Sequence, residues 1–280
     1  MGRRIHIIIW ALILTPALVF SQGKPLSLAD LQMTTLYKSV DEALQDPTNV
    51  YRLNLANQKL TELPSDIGQM VNLQYLNVGK NTLTSLPAEI GNLKNLQWLI
   101  VEDNNLNSLP SELSQLTNLE VLDVDGNINL TPASIFDIAA SIPSLKELSM
   151  KNIMISSFPQ SFYKLNNIEK LYLVNCSINV FPENMGELYK LKVLDVSFNN
   201  IGRLPGDIEN MKRLQELYLG GNGINELPIE IQELRFTLQK LSFASRNEST
   251  GNMVGNPITE EMVKRIQDWL PRTLIENIYK

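Results

Sequence analysis

Seven prolines recur at a fixed interval along this chain. The spacing is 23 residues within each of two groups: Pro64, Pro87 and Pro110, then Pro159, Pro182, Pro205 and Pro228. The gap of 49 residues between the groups equals one unit of 23 and one of 26. A repeat of this length predicts a stack of similar supersecondary units, each completed by its neighbours, rather than one globular core.

The repeated unit has a specific apolar pattern. Segment 73–95 reads LQYLNVGKNTLTSLPAEIGNLKN, and segment 191–213 reads LKVLDVSFNNIGRLPGDIENMKR. This pattern resembles the leucine-rich repeat, in the 23-residue form of Ras-group-like and many bacterial proteins. Copies start at Val50, Leu73, Leu96, Leu145, Ile168, Leu191 and Leu214, with an irregular 26-residue copy from Leu119 and a truncated copy from Leu238.

The resemblance implies an α/β solenoid: a horseshoe with a parallel concave β-sheet of about nine strands, short helical or 3-10 segments on its convex side, and helical caps at both ends. The residues agree with this fold. In segment 73–95 the apolar spacings are 3, 2, 5, 3, 4 and 3, which is neither a sustained strand period nor a sustained helix period. Each repeat is therefore expected to begin as a strand, turn at its Leu-Pro pair and return as a short helical segment.

The ninth position of the repeat is predicted to be structural. It carries an asparagine in five copies, at Asn81, Asn104, Asn127, Asn199 and Asn222, and the single cysteine, Cys176, in a sixth. An amide offers donors and an acceptor to backbone groups where the strand leaves the sheet. The resemblance allows cysteine at this position too, so we interpret Cys176 as a buried structural residue. Gln58 and Ile153 depart from the pattern.

Residues 1–21 are predicted to be a signal peptide. Arg3 and Arg4 precede an apolar run of about 16 residues, which is short of the roughly 20 needed to cross a bilayer. The pattern favours cleavage before Gln22, with no stable membrane span afterwards. No cysteine stands directly after the apolar run, which excludes a bacterial lipoprotein anchor. A single cysteine, Cys176, cannot form the disulfides with which extracellular animal and plant members of the family usually close their ends. We therefore expect a bacterial protein that is secreted or periplasmic, with the cell surface as a further alternative.

Three further regions complete the predicted domain organisation. Residues 22–49 are an N-terminal cap, in which Leu36, Val40, Ala43 and Leu44 make one helical stripe that Pro47 ends. Residues 50–246 are the repeats. Residues 247–280 are the C-terminal cap, whose helix has Thr259 as its N-cap, places Trp269 on an apolar core stripe and stops at Pro271.

The inventory of residues argues against catalysis. The only histidine, His6, lies in the predicted signal peptide, so neither a Ser-His-Asp triad nor a His-ligated zinc site is expected in the mature chain. Asp123, Asp125 and Asn127 resemble the start of an EF-hand loop, but the pattern then fails. A hydrolase that uses two acidic side chains as its catalytic pair stays formally open, although acidic side chains on such a face are usually only solvated. We expect no enzymatic activity, no metal and no cofactor.

The expected function therefore depends on the concave surface. Tyr75, Trp98, Ile100 and Val121 come from three successive predicted strands, beside an acidic group of Glu102, Asp103, Asp123 and Asp125; Tyr172 and Tyr218 lie further along the sheet. This combination predicts a binding surface for a protein, peptide or glycan on a monomer. A net charge of -6 argues against nucleic acid. The alternative is a structural cell-envelope protein without a specific ligand.

Overall fold

The computed structural model describes residues 25–247 and 250–276. The predicted signal peptide and the cleavage before Gln22 lie outside the described residues. Within them, 11 strands form one parallel sheet in which the strands follow one another in chain order. The repeat strands are β2 to β10: Arg52–Asn54, Tyr75–Asn77, Trp98–Ile100, Val121–Asp123, Glu147–Ser149, Lys170–Tyr172, Val193–Asp195, Glu216–Tyr218 and Lys240–Ser242. The predicted solenoid is confirmed.

The repeat pattern places one leucine at the centre of every repeat strand. These leucines are Leu53, Leu76, Leu99, Leu122, Leu148, Leu171, Leu194, Leu217 and Leu241, and each is fully buried. The residues on either side of each leucine point to the opposite, concave face, because side chains alternate along a strand. Register is conserved from strand to strand, so side chains at one repeat position form a column along the sheet.

The convex side is built from short returns. The described 3-10 segments are Pro47–Asn49, Ser65–Gln69, Ala88–Asn92, Ser111–Gln115, Phe162–Lys164, Met185–Glu187, Gly206–Asn210 and Ile229–Leu234. Proline stands immediately before five of them, where its fixed φ suits the entry to a helical turn, as at Pro64 with φ −67°. The 26-residue repeat uses its extra length for an α-helix, Pro132–Ala140, capped by the side chain of Thr131.

The ninth-position asparagines form the predicted ladder. Asn104 is typical: its Oδ1 accepts from the Leu83 amide of the preceding repeat, while its Nδ2 donates to the carbonyls of Val78 and Val101. Cys176 takes the same place and its Sγ donates to the carbonyl of Met150. The structural interpretation of these residues is confirmed.

The residue before each ladder position has a left-handed backbone. It is Asn57, Lys80, Asp103, Gly126, Asn152, Asn175, Phe198 or Gly221, and all have φ between 49° and 70°. Glycine adopts this conformation without strain and asparagine tolerates it better than most residues. Lys80 and Phe198 depart from these preferences, and Phe198 is the one with a bulky aromatic side chain.

The N-terminal cap differs from its prediction. It contains helix α1, Leu28–Met33, then strand β1, Leu36–Tyr37, then helix α2, Val40–Ala43. The prediction of Leu36 in a single helical stripe is wrong, because β1 pairs in parallel with β2 and extends the sheet by one strand. Pairing satisfies backbone groups at the sheet edge that a helix would leave unpaired.

The C-terminal cap contains the expected helix and three strands that were not predicted. Helix α4, Glu260–Trp269, begins after Thr259, whose hydroxyl accepts from the Met262 amide. Before α4, strands β11, Ala244–Arg246, and β12, Met253–Gly255, form an antiparallel hairpin. After it, β13, Leu274–Glu276, pairs in parallel with β10 and becomes the last strand of the sheet. In the described part of the chain, no helix is long and apolar enough to cross a membrane.

Candidate ligand-binding surface

The apolar cluster predicted on the concave face is assembled by strand register. Tyr75 pairs with Trp98, and Trp98 pairs with Val121, so the three side chains occupy one column on β3, β4 and β5. Ile100 stands in the next column, two residues along β4. All four side chains are partly exposed. Neighbouring strands lie about 4.8 Å apart, so the four residues offer one continuous apolar surface.

Tyr75 is held in place from its own strand. The Nδ2 atom of Asn77 lies 3.4 Å from the Tyr75 hydroxyl, and the Oδ1 atom of Asn77 accepts from the Gly79 amide. This small network orients the ring. A ring that is already oriented loses less entropy when a ligand contacts it.

The acidic group beside the cluster is more fully paired than the sequence suggested. Glu102 forms an ion pair with Lys80, with Nζ and Oε1 3.4 Å apart. Asp125 is 8% exposed; its Oδ1 accepts from the hydroxyl of Ser149 and the amide of Lys151. The Lys151 ammonium lies 3.4 Å from the other oxygen of Asp125. Asp125 therefore stabilises the sheet rather than offering an open carboxylate.

Asp103 and Asp123 differ in exposure. Asp103 is exposed at a left-handed position with φ 49°. Asp123 is partly buried on β5 and accepts from the Asp125 amide. Burial, then the carboxylates of Asp125 and Glu102, raise the pKa of Asp123 to about 7. Asp123 therefore changes charge near neutral pH, which makes it responsive to a nearby cation.

Tyr172 and Tyr218 lie in a separate part of the sheet. Both occupy the column of Ile100 and Asp123, and they flank Asp195 on β7, β8 and β9. The ammonium of Lys151 lies 5.5 Å from the centre of the Tyr172 ring. The Tyr218 hydroxyl donates to Glu216. These tyrosines therefore do not extend the Trp98 cluster.

The sequence interpretation missed the cations and the amide that support the site. Lys80 and Lys151 neutralise Glu102 and Asp125, and Asn77 orients Tyr75. A signal for one of these pairs was present, because Asp125 and Lys151 occupy the same repeat position in consecutive repeats. Opposite charges at equivalent positions of adjacent strands predict a cross-strand pair.

The cysteine and the acidic side chains show no reactive or metal-binding arrangement among the described residues. Burial raises the pKa of the Cys176 thiol to about 12, which removes the thiolate that nucleophilic chemistry requires. Among residues 25–247 and 250–276, no group of three or more histidine, cysteine or acidic side chains is placed to hold a metal ion. His6 lies outside the described residues.

Family profiles match most of the repeat region. A profile described as a leucine-rich repeat region matches residues 29–123 and 50–181, and one for two copies of the repeat matches residues 189–234. No curated protein matches the chain significantly.

Solved structures with a similar fold include bacterial and receptor proteins. The leucine-rich repeat domain of the type III effector XopL is 21% identical, with a TM-score of 0.59 over 84% of this chain and 79% of that one. The chain in the TLR13–ssRNA13 complex is 23% identical, with a TM-score of 0.60 over 74% of this chain and 30% of that one. A third structure is the ectodomain of the Arabidopsis thaliana receptor kinase GASSHO1/SCHENGEN3 in complex with CASPARIAN STRIP INTEGRITY FACTOR 2. It is 26% identical, with a TM-score of 0.52 over 80% of this chain and 31% of that one. The chain thus spans less than a third of these two receptor chains.

Proposed function

Because this chain belongs to the leucine-rich repeat family, we propose that it is a non-catalytic interaction module that binds a protein or peptide on its concave face. The observation that carries the proposal is the column of Tyr75, Trp98 and Val121, with Ile100 beside it. Soluble proteins seldom leave large aromatic and aliphatic side chains together on an open surface without a binding role. Tryptophan and tyrosine are also the residues that most often dominate binding energy at interfaces.

The charge around the cluster favours a ligand with a positive group. Asp103 is exposed and Asp123 lies directly beside Ile100, at the paired position on β5. A lysine or arginine of the ligand placed here would favour the ionised form of Asp123 and contact Asp103. We therefore propose a partner segment that combines an apolar or aromatic residue with a basic one. Electrostatic complementarity of this kind raises association rates and discriminates between partners.

The proposed location is outside the cytoplasm. The sequence of residues 1–21 supports a cleaved signal peptide, so the mature module is proposed to act in the periplasm, at the cell surface or in the medium of a bacterium. A glycan ligand, open from the sequence, is less suited to the Trp98 cluster because the acidic group favours a cation. The complex of GASSHO1/SCHENGEN3, which is 26% identical, supports the use of this fold for recognition.

The proposal is tested by affinity capture from the source organism followed by quantitative binding. The mature chain is immobilised beside a double variant, Trp98→Ala with Tyr75→Ala, and captured proteins are compared by mass spectrometry. Val193→Ala is the matched control, because Val193 occupies the same repeat position as Trp98, four strands along the sheet. A partner retained by the wild type and by Val193→Ala, and lost by the double variant, supports the proposal.

Two results would contradict it. A partner bound equally well by the double variant would place the interface on the convex side or around the 26-residue repeat. A chain that fractionates with membranes or cell wall irrespective of Trp98, and captures no partner, would instead support the structural cell-envelope alternative.

A further inference from the structure

A second concavity lies at the C-terminal end of the sheet, far from Trp98. We call it the corner pocket. It encloses about 470 Å³ between the concave face and the β11–β12 hairpin, and its lining includes Asp195, Phe198, Tyr218, Ser242, Ser245 and Arg246. Tyr218 on β9 is five strands from Trp98 on β4, or about 24 Å away. The volume falls within the usual range for small-ligand sites.

Two glycines shape the corner pocket, one beside the hairpin and one beside Phe198. A Cβ atom on Gly220 would lie 2.3 Å from the Ser245 amide nitrogen, so any larger residue would push the hairpin away from the sheet. Gly221 has φ +70°, and a Cβ atom there would lie 2.7 Å from the Phe198 ring. The position of Gly220 carries a side chain in most other repeats. The pocket is therefore specific to this end of the solenoid.

Hydrogen bonds fix the hairpin against the sheet. The hydroxyls of Ser197 and Ser245 lie 2.8 Å apart, and the hydroxyl of Ser242 donates to the carbonyl of Ala244. On the hairpin itself, the Nε atom of Arg246 donates to the carbonyl of Gly251. These bonds define the walls before any ligand enters, which lowers the entropic cost of binding.

The charges of the lining balance one another. Lys151 and Arg246 supply two cations, and Asp195 and Glu276 supply two carboxylates. Lys151 already pairs with Asp125, and Glu276 pairs with Lys240. Either an anionic or a cationic ligand would meet a like charge in this pocket. A neutral ligand avoids that cost.

The polar groups of the lining are mixed donors and acceptors. The Nδ2 atom of Asn175 donates to the Oδ1 atom of Asn152, so this pair presents a donor on Asn152 and an acceptor on Asn175. The serine hydroxyls each make one hydrogen bond within the protein and keep a further lone pair as an acceptor. Burial raises the pKa of the Asp195 carboxyl, and its Oδ1 atom accepts from the Ser197 amide. Phe198 and Tyr218 add aromatic surface beside these groups. A ligand suited to this lining carries many hydroxyls around an apolar ring face.

We propose that the corner pocket binds a neutral saccharide. The ring of Phe198 contacts a face of the sugar, the carboxylate of Asp195 accepts from its hydroxyls, and the hairpin covers one side. This site is independent of the protein-binding cluster around Trp98. The chain is thereby able to hold a glycan and a protein at the same time.

The probe is an array of neutral oligosaccharides printed beside sialylated and sulfated ones, screened with the full chain. The best neutral binder is then titrated by calorimetry. We expect neutral glycans to be preferred, and expect Phe198→Ala and Asp195→Asn each to weaken binding by about tenfold or more. The matched control is Asn57→Ala, at the same left-handed repeat position, with φ 59° against 57° at Phe198. Asn57→Ala and Trp98→Ala are expected to bind as the wild type does.

Three results would overturn the inference. They are no binding to any neutral glycan, a preference for charged glycans, and binding that Asp195→Asn leaves unchanged. If Phe198→Ala does not fold, as judged by circular dichroism, Asp195→Asn decides the outcome alone. Loss of glycan binding in Trp98→Ala would move the sugar to the aromatic cluster and would also contradict the inference. If the corner pocket binds no saccharide, the proposal that a protein binds at Trp98 is not affected.

Discussion

Trp98 is paired in register with Tyr75 on the neighbouring parallel strand. This pairing turns two residues that are 23 positions apart in the sequence into neighbours on one open surface. Aromatic rings side by side give a rigid contact area with few torsions to immobilise. The pair is the centre of the proposed protein-binding surface.

Removal of the Trp98 ring is expected to weaken binding of the partner. Trp98→Ala should cost roughly 2 kcal/mol or more, because hot-spot aromatics at the centre of an interface commonly contribute that much. Tyr75→Ala should act in the same direction, and Asp123→Asn should mainly slow association with a basic partner. Calorimetry gives the affinities and stopped-flow fluorescence the rates. Unchanged affinity in the double variant would eliminate this surface.

The stability of the protein is expected to depend on pH through Asp123. Burial and the carboxylates of Asp125 and Glu102 raise its pKa from 3.8 to about 7. Between these values the folded state holds a proton that the unfolded state has released, so the free energy of unfolding falls as the pH rises. The free energy of unfolding of the wild type should therefore decrease between pH 4 and pH 8, and in Asp123→Asn this decrease should be smaller by roughly 2–4 kcal/mol.

Urea melts at both pH values measure this difference. The exposed Asp103 provides the control, since Asp103→Asn should retain the pH dependence of the wild type. An identical pH dependence in Asp123→Asn and the wild type would show that the Asp123 carboxyl is ionised throughout the range.

The centre of the stack is expected to be sensitive to lost volume. Leu194 is fully buried on β8, so Leu194→Ala should cost about 2–5 kcal/mol through lost transfer energy and a cavity. Ser197, in the same repeat, is not a suitable control, because it is 1% exposed and its hydroxyl contacts that of Ser245 in the hairpin. Arg203→Ala, exposed in the same repeat, is the better control for urea melts.

Loss of a ladder amide is expected to destabilise two adjacent repeats. Asn104→Ala leaves the buried Leu83 amide without its acceptor. It also removes one of the two asparagine donors from each of the carbonyls of Val78 and Val101, which keep Asn81 and Asn127 respectively. Each buried group left unpaired costs roughly 1–3 kcal/mol. Substitution of the exposed neighbour Asn105 by alanine should have little effect. Equal melting temperatures for the two variants would show that the ladder is not needed for stability.

Processing of the N-terminus is also testable. The order of charged, apolar and small residues before Gln22 predicts that the exported protein begins there. Intact-mass measurement of the native protein should show the loss of residues 1–21. A native mass that still includes them would contradict the predicted cleavage.

The repeat itself was predictable because its information is local. Leucines at the centres of the strands, such as Leu99 and Leu122, recur at fixed positions, and their neighbours define the concave columns. Stacking at a fixed interval makes one repeat position equivalent to the next. Tyr75, Trp98 and Val121 could therefore be placed in one column without coordinates.

The ends of the solenoid were less predictable, because the repeat does not govern them. Asn256 shows this: it lies 34 residues after Asn222, outside the period, yet its Oδ1 atom accepts from the Ile224 amide and completes the ladder. Strand β1 and the hairpin likewise depend on which edge groups need partners. Such pairing is decided by proximity in space.

The sequence alone determined the solenoid, its period, the buried leucines and the display columns, because short-range pattern and stacking decide them. Tertiary structure alone decided which displayed groups are free. It buried Asp125 under Ser149 and Lys151, and it brought the hairpin over Gly220 to form the corner pocket. Those outcomes follow from contacts between segments distant along the chain, where charge, burial and the absence of a single Cβ atom act together.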